Sequence, residues 1–250
     1  MHVSRVGLTP LKGARHVGRR HVRLGVDGPV ADRVFALVDP ARKRVLRTVE
    51  HPTLMASVVD WRDGALTVRL PQGTVTGRPR PTGEVRTVDY WGRAAAVEVV
   101  DGPWAAAYTR HLRHEVLLAR VTEPGQTVFG ASVSLVTSSS VDRVAEQLGE
   151  PVEDARFRAT FTVRTEGLPP HVEDSWVGRR LRLGDAEVEV RAPLPRCAVV
   201  DLDPATGERR FDVLRCLGRY RRARGEILFG VDAVVTRPGR VAVGAEVERG

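Results

Sequence analysis

Cysteine is nearly absent from this 250-residue chain, which has only Cys197 and Cys216. That speaks against a disulfide framework. It also excludes a four-thiolate iron–sulfur cluster held by the chain alone. No apolar run approaches the roughly 18 residues of a membrane-spanning helix. The opening residues, Met1-His2-Val3-Ser4-Arg5, lack the apolar core of a secretory leader. Lysine is equally scarce: of 39 basic residues, all but Lys12 and Lys43 are arginine. Aromatic residues make up 5% of the chain, too few for a base-stacking surface. The arginines are scattered and no helix-turn-helix pattern appears. The net charge of +8 therefore points away from nucleic acid and toward an anionic small molecule, since guanidinium forks suit phosphate. The expectation is a cytoplasmic protein with no membrane segment.

What is present is a series of short apolar segments. They include 21–24, 34–38, 45–48, 54–59 and 65–70, separated by turns at Asp27-Gly28, Asp39-Pro40 and Asp63-Gly64. Such spacing predicts antiparallel strands in a sheet or barrel. Residues 72–87, rich in Gly, Pro, Thr and Arg, read as a long loop with weak strands. A strand is expected to start at Asp89 and run through residue 100. Asp101-Gly102-Pro103 then opens a helix with Trp104, Tyr108 and Leu112 on one buried face. A second helix follows Ser139-Ser140-Val141-Asp142, a variant capping box, and ends at Gly149. Glu123-Pro124-Gly125 reads as a linker. The chain is thus α+β and mostly β, in two barrel-like lobes with a few short helices, residues 1–122 and 123–250.

The chemistry concentrates at Pro195-Arg196-Cys197, followed by Ala198-Val199-Val200-Asp201-Leu202 and the turn Asp203-Pro204-Ala205-Thr206-Gly207. The apolar run reads as a mostly buried strand with Cys197 near its start. A fixed positive charge beside a thiol favours the thiolate, a soft ligand and good nucleophile. The competing reading is a cysteine that serves as a small buried hydrophobe, the role expected for Cys216.

These residues carry a resemblance. Arg196-Cys197, the Val200-Asp201-Leu202-Asp203-Pro204-Ala205-Thr206-Gly207 run, Phe229-Gly230, Pro238-Gly239 and Val243-Gly244-Ala245-Glu246-Val247 resemble the C-terminal half of MOSC domains. These are the molybdenum-cofactor sulfurase C-terminal domains, which include the amidoxime-reducing molybdoenzymes. Pro10-Leu11-Lys12-Gly13, the 32–39 segment with Arg33, Thr137-Ser138, Arg156-Phe157-Arg158 and Glu173-Asp174-Ser175-Trp176 are similar to the family's other motifs. The resemblance implies a molybdopterin-type molybdenum cofactor between the lobes, with Cys197 as protein ligand to the metal. It implies cofactor contacts from Lys12, Arg33, Thr137, Ser138, Arg158 and Arg196. Asp174 could orient an arginine or shuttle a proton. The implied chemistry is oxygen-atom transfer that reduces N-hydroxylated or N-oxide small molecules, with electrons from a separate donor protein. Two departures stand out. Gly13 replaces the family's serine, and Ala159-Thr160 replaces Pro-Asn. A persulfide carrier using Cys197 and a metal-free binding module are the alternatives.

Overall fold

The structure is a computed structural model that describes residues 1–250. Its larger sheet holds, in spatial order, strands Val17–Arg19, His2–Leu8, Phe161–Arg164, Val133–Thr137, Glu226–Arg237, Ala186–Pro195, Arg180–Leu183 and Val247–Arg249. Alternating apolar residues of these strands build one core. Val3, Val6, Leu135, Phe161, Val188, Val190 and Val231 are buried there around Trp176. The first strand pairs antiparallel with Phe161–Arg164, and His21–Gly25 pairs with Gly239–Ala242. The expected division at residue 122 therefore does not follow the hydrogen bonding. The start of the chain is built into the second lobe's sheet.

The smaller lobe is a ring of pairings among Phe35–Asp39, Arg44–Val45, Arg80–Tyr90, Arg93–Asp101 and Leu117–Val121. One parallel pair, Asp89 with Arg44, joins its ends. Residues 72–87 are more regular than expected: they supply strand Gly73–Gly77 and most of the 11-residue strand Arg80–Tyr90. The anticipated strand from Asp89 to residue 100 is instead a hairpin turning at Trp91-Gly92. Segment 54–59 is split between a 3-10 helix, Pro52–Ala56, and strand Val58–Arg62.

Three α-helices complete the fold. Helix α1, Trp104–Leu112, buries Trp104 and Tyr108 as its spacing predicts. Helix α2, Ser138–Leu148, ends at Gly149 in the left-handed region, but its N-cap is Thr137 and not Ser139. Helix α3, Val213–Gly218, buries Cys216. The largest correction falls on residues 198–202. Strand Ala186–Pro195 ends before Cys197, and Ala198–Asp201 forms a 3-10 turn capped by that cysteine. Val200 is still buried within it.

Candidate functional site

A cavity of about 340 Å³ lies where the lobes meet. Lys12 enters it from the turn after the first strand, where its backbone N–H donates to Phe35 at 2.8 Å. Arg33 and Arg158 both sit at positive φ, 48° and 52°. Their left-handed backbones place them at bends leading into strands Phe35–Asp39 and Phe161–Arg164, one from each lobe. Arg196 and Cys197 follow the end of strand Ala186–Pro195, and the thiol is exposed. All five line the cavity. Gly13 lines it too, at φ 92°, where a Cβ would sit 3.0 Å from Leu54. The local bend disfavours the family's serine. Thr160 is buried and exchanges two 3.1 Å hydrogen bonds with Ser134, so it ties adjacent strands together.

The cavity floor is cationic beyond what its own acids balance. Arg33 pairs with Asp32. Arg158 donates through Nη2 to Ala14 at 2.8 Å, while its buried Nη1 has no partner. Arg196 donates to the carbonyls of Phe229 and Phe157 at 2.8 and 2.7 Å, and its buried Nη2 also has no partner. Burial, aided by Arg33 and Arg158, pulls the Lys12 ammonium down to about 7. Burial, with Arg33 next in effect, brings Arg158 to about 9, and burial brings Arg196 to about 10. Buried His16, behind them, is held well below its ordinary value by burial and Arg5. Buried cations without partners are costly. This set fits an anionic, phosphate-bearing ligand, and the adjacent thiol adds a donor for a soft metal.

Three expected site residues stand elsewhere. Thr137 is buried, accepts from the Ser140 backbone N–H and donates to Glu173 at 2.7 Å. Ser138 accepts from the Thr165 backbone N–H at 3.1 Å. Asp174 forms an ion pair with Arg221 at 2.7 Å. None of the three lines the cavity. The start of α2 is engaged by the 3-10 helix Val172–Trp176, where Glu173 also accepts from Ser140. Sequence reasoning missed Tyr90, Trp91 and Phe129, which do line the cavity. A clearer signal was available for two of them: Tyr-Trp-Gly between alternating segments fits a hairpin turn.

No helix is long and apolar enough to cross a membrane. The molybdenum cofactor sulfurase of Caenorhabditis elegans is 27% identical over 241 residues, covering 89% of this chain and 32% of that protein. That of Caenorhabditis briggsae is 35% identical over 99 residues, covering 39% and 13%. The chain thus spans about a third or less of the length of these relatives. Among solved structures, the YuaD protein from Bacillus subtilis aligns over 99% of this chain and 93% of its own, at 11% identity and TM-score 0.46. YiiM from Geobacillus stearothermophilus aligns over 48% and 54%, at 21% identity and TM-score 0.36. The MOSC domain model matches residues 109–248, more than half of the chain and the part that contains Arg158, Arg196 and Cys197. The chain belongs to the MOSC domain family.

Proposed function

We propose that this chain is a molybdenum-cofactor-binding oxidoreductase acting on N-hydroxylated or N-oxide small molecules. The observation that carries the reading is an exposed thiol beside four cations, two with guanidinium nitrogens that have no partner in the protein. Lys12, Arg33 and Arg158 would hold the phosphate-bearing end of a molybdopterin-type cofactor. Cys197 would bind its metal as thiolate. Bound there, such a cofactor supplies two-electron oxygen-atom transfer. Arg196 is anchored by two carbonyls and holds a fixed positive charge next to the sulfur. Reduction of R–NHOH to R–NH2 and water takes two electrons and two protons. The two cysteines of the chain cannot hold a four-thiolate cluster, and in this reading the electrons would come from a separate donor protein.

The test is elemental analysis of protein produced in cells that make the cofactor. Stoichiometric molybdenum is expected in the wild type and in Cys216→Ser, with loss in Cys197→Ser. Molybdenum-free wild type, or full retention in Cys197→Ser, would refute the reading. The relatives' description as sulfurases and the exposure of Cys197 favour one alternative, a persulfide carrier. Intact mass spectrometry separates the two, because a carrier shows one added sulfur atom on Cys197 that dithiothreitol removes.

A further inference from the structure

The cavity changes character from floor to mouth. Beyond the cations, its wall includes two exposed rings, Trp91 and Phe129, at 41% and 54% exposure. Trp91 occupies a hairpin turn at φ 53°, a conformation that costs a bulky residue energy. Asp89 holds that turn by accepting from the Gly92 backbone N–H at 2.8 Å. The Arg47 guanidinium lies 4.3 Å from the centre of the Trp91 ring and is itself paired with Glu50 and Asp89. Arg93, at the far side of the turn, donates to the Val128 carbonyl at 2.8 Å. That bond ties the segment carrying Phe129 to the hairpin carrying Trp91. Both rings are therefore held at the cavity although neither is folded into the core.

We propose that Trp91 and Phe129 form a subsite for the flat, apolar body of the substrate, whose polar head is directed toward Cys197. The direction of the head rests on the function proposed above. The occupant is a small molecule because the rings share a cavity of about 340 Å³ with the thiol and the cations. Aromatic faces favour a planar partner, and the polar head is oriented by Cys197, which lines the same cavity, since Lys12, Arg33 and Arg158 are committed to the cofactor's phosphate in the function proposed above.

Calorimetric titration of the purified protein with benzhydroxamic acid and acetohydroxamic acid tests this, because the two ligands share a head and differ in body. The wild type should bind the aromatic ligand about tenfold more tightly, the equivalent of one ring packed on apolar walls. Trp91→Ala and Phe129→Ala should each reduce that ratio severalfold, and the double variant should bring it near unity. Affinity for acetohydroxamic acid and molybdenum content should stay at wild-type values. An unchanged ratio in the double variant overturns the subsite, including the case where the rings serve a docking protein. Equal losses for both ligands also overturn it. If the ratio collapses while the wild type holds no molybdenum, the subsite stands and the proposed chemistry fails.

Discussion

Lys12 shows how much one residue's surroundings decide. It is one of two lysines in the chain, and burial with Arg33 and Arg158 nearby brings its ammonium from 10.5 to about 7. The unfolded chain therefore binds the extra proton between about pH 7 and 10, and stability contributed by this site rises with pH across that window. Relative to Lys12→Met, the wild-type chain should gain stability as pH rises from about 7 to 10, measured by urea denaturation of both proteins. A difference that stays flat with pH would remove Lys12 as the shifted group. The effect on a bound anion has the opposite sign. Its affinity should fall as pH rises past about 7, because the anion favours the protonated amine. This residue was legible in the sequence because a lysine on a turn departs from a background of basic residues that are nearly all arginine. Thr137 and Ser138 stand outside the cavity for a physical reason, whereas Asp174 pairs with Arg221, the arginine-orienting role its motif implied. Hydroxyls and carboxylates at a helix start satisfy backbone donors as readily as they hold a ligand, and a sequence does not say which face the start presents. Here Glu173 accepts the hydrogen bond that the Thr137 hydroxyl donates. Thr137→Ala should cost about 1–2 kcal/mol from the lost cap and the buried carboxylate it leaves short of a donor. Cofactor content should be unaffected, and retained molybdenum in a destabilised variant would distinguish capping from binding.

Among elements, the turn after Cys197 binds the two lobes together. Gly207 closes it by donating to Asp203 at 2.9 Å, and Asp203 accepts from the Ala205 and Thr206 backbone N–H groups at 2.8 and 3.0 Å. Arg15, from the start of the chain, bonds the Ala205 carbonyl. A Cβ on Gly207, at φ 82°, would overlap the Pro52 carbonyl oxygen. Gly225 has the same φ of 82° but nothing within 4 Å of its added Cβ. Gly225→Ala should thus cost only the backbone strain, about 1 kcal/mol, whereas Gly207→Ala adds the steric conflict and should cost roughly 3 kcal/mol. Equal costs in denaturant titrations would mean that the turn gives way without resistance from Pro52. The turn itself was readable, since Asp-Pro-x-Thr-Gly specifies its geometry. The 3-10 segment before it was not. Four residues with Val199, Val200 and a buried Asp201 satisfy a strand pattern as well as a single helical turn, and short apolar runs do not separate the two. The Asp201 carboxylate accepts from the Leu214 backbone N–H at 2.7 Å, a contact 13 residues away that local patterning does not reveal.

For the whole molecule, the family match begins at residue 109, but the sheet does not. Val3, Val6, Leu8, Val22 and Leu24 are buried in the same cluster as Leu135, Phe161, Trp176 and Val231. Each such side chain contributes about 2 kcal/mol by burial. The five together are on the order of 10 kcal/mol, as large as the net stability of a typical domain. Removing residues 1–122 would also strip Phe161–Arg164 of the strand it pairs with at His2, Val3, Arg5 and Val6. An apolar strand edge would then be open to self-association. A fragment of residues 123–250 should therefore be insoluble or molten, lacking near-ultraviolet circular dichroism and cut by protease throughout. The intact chain should lose the signals of both lobes in one transition, because its first 25 residues are part of both. A soluble fragment with a native near-ultraviolet spectrum would show that the second lobe closes its own core. In that case the contacts of the first strand serve to bring Lys12 to the cavity, not to hold the sheet together.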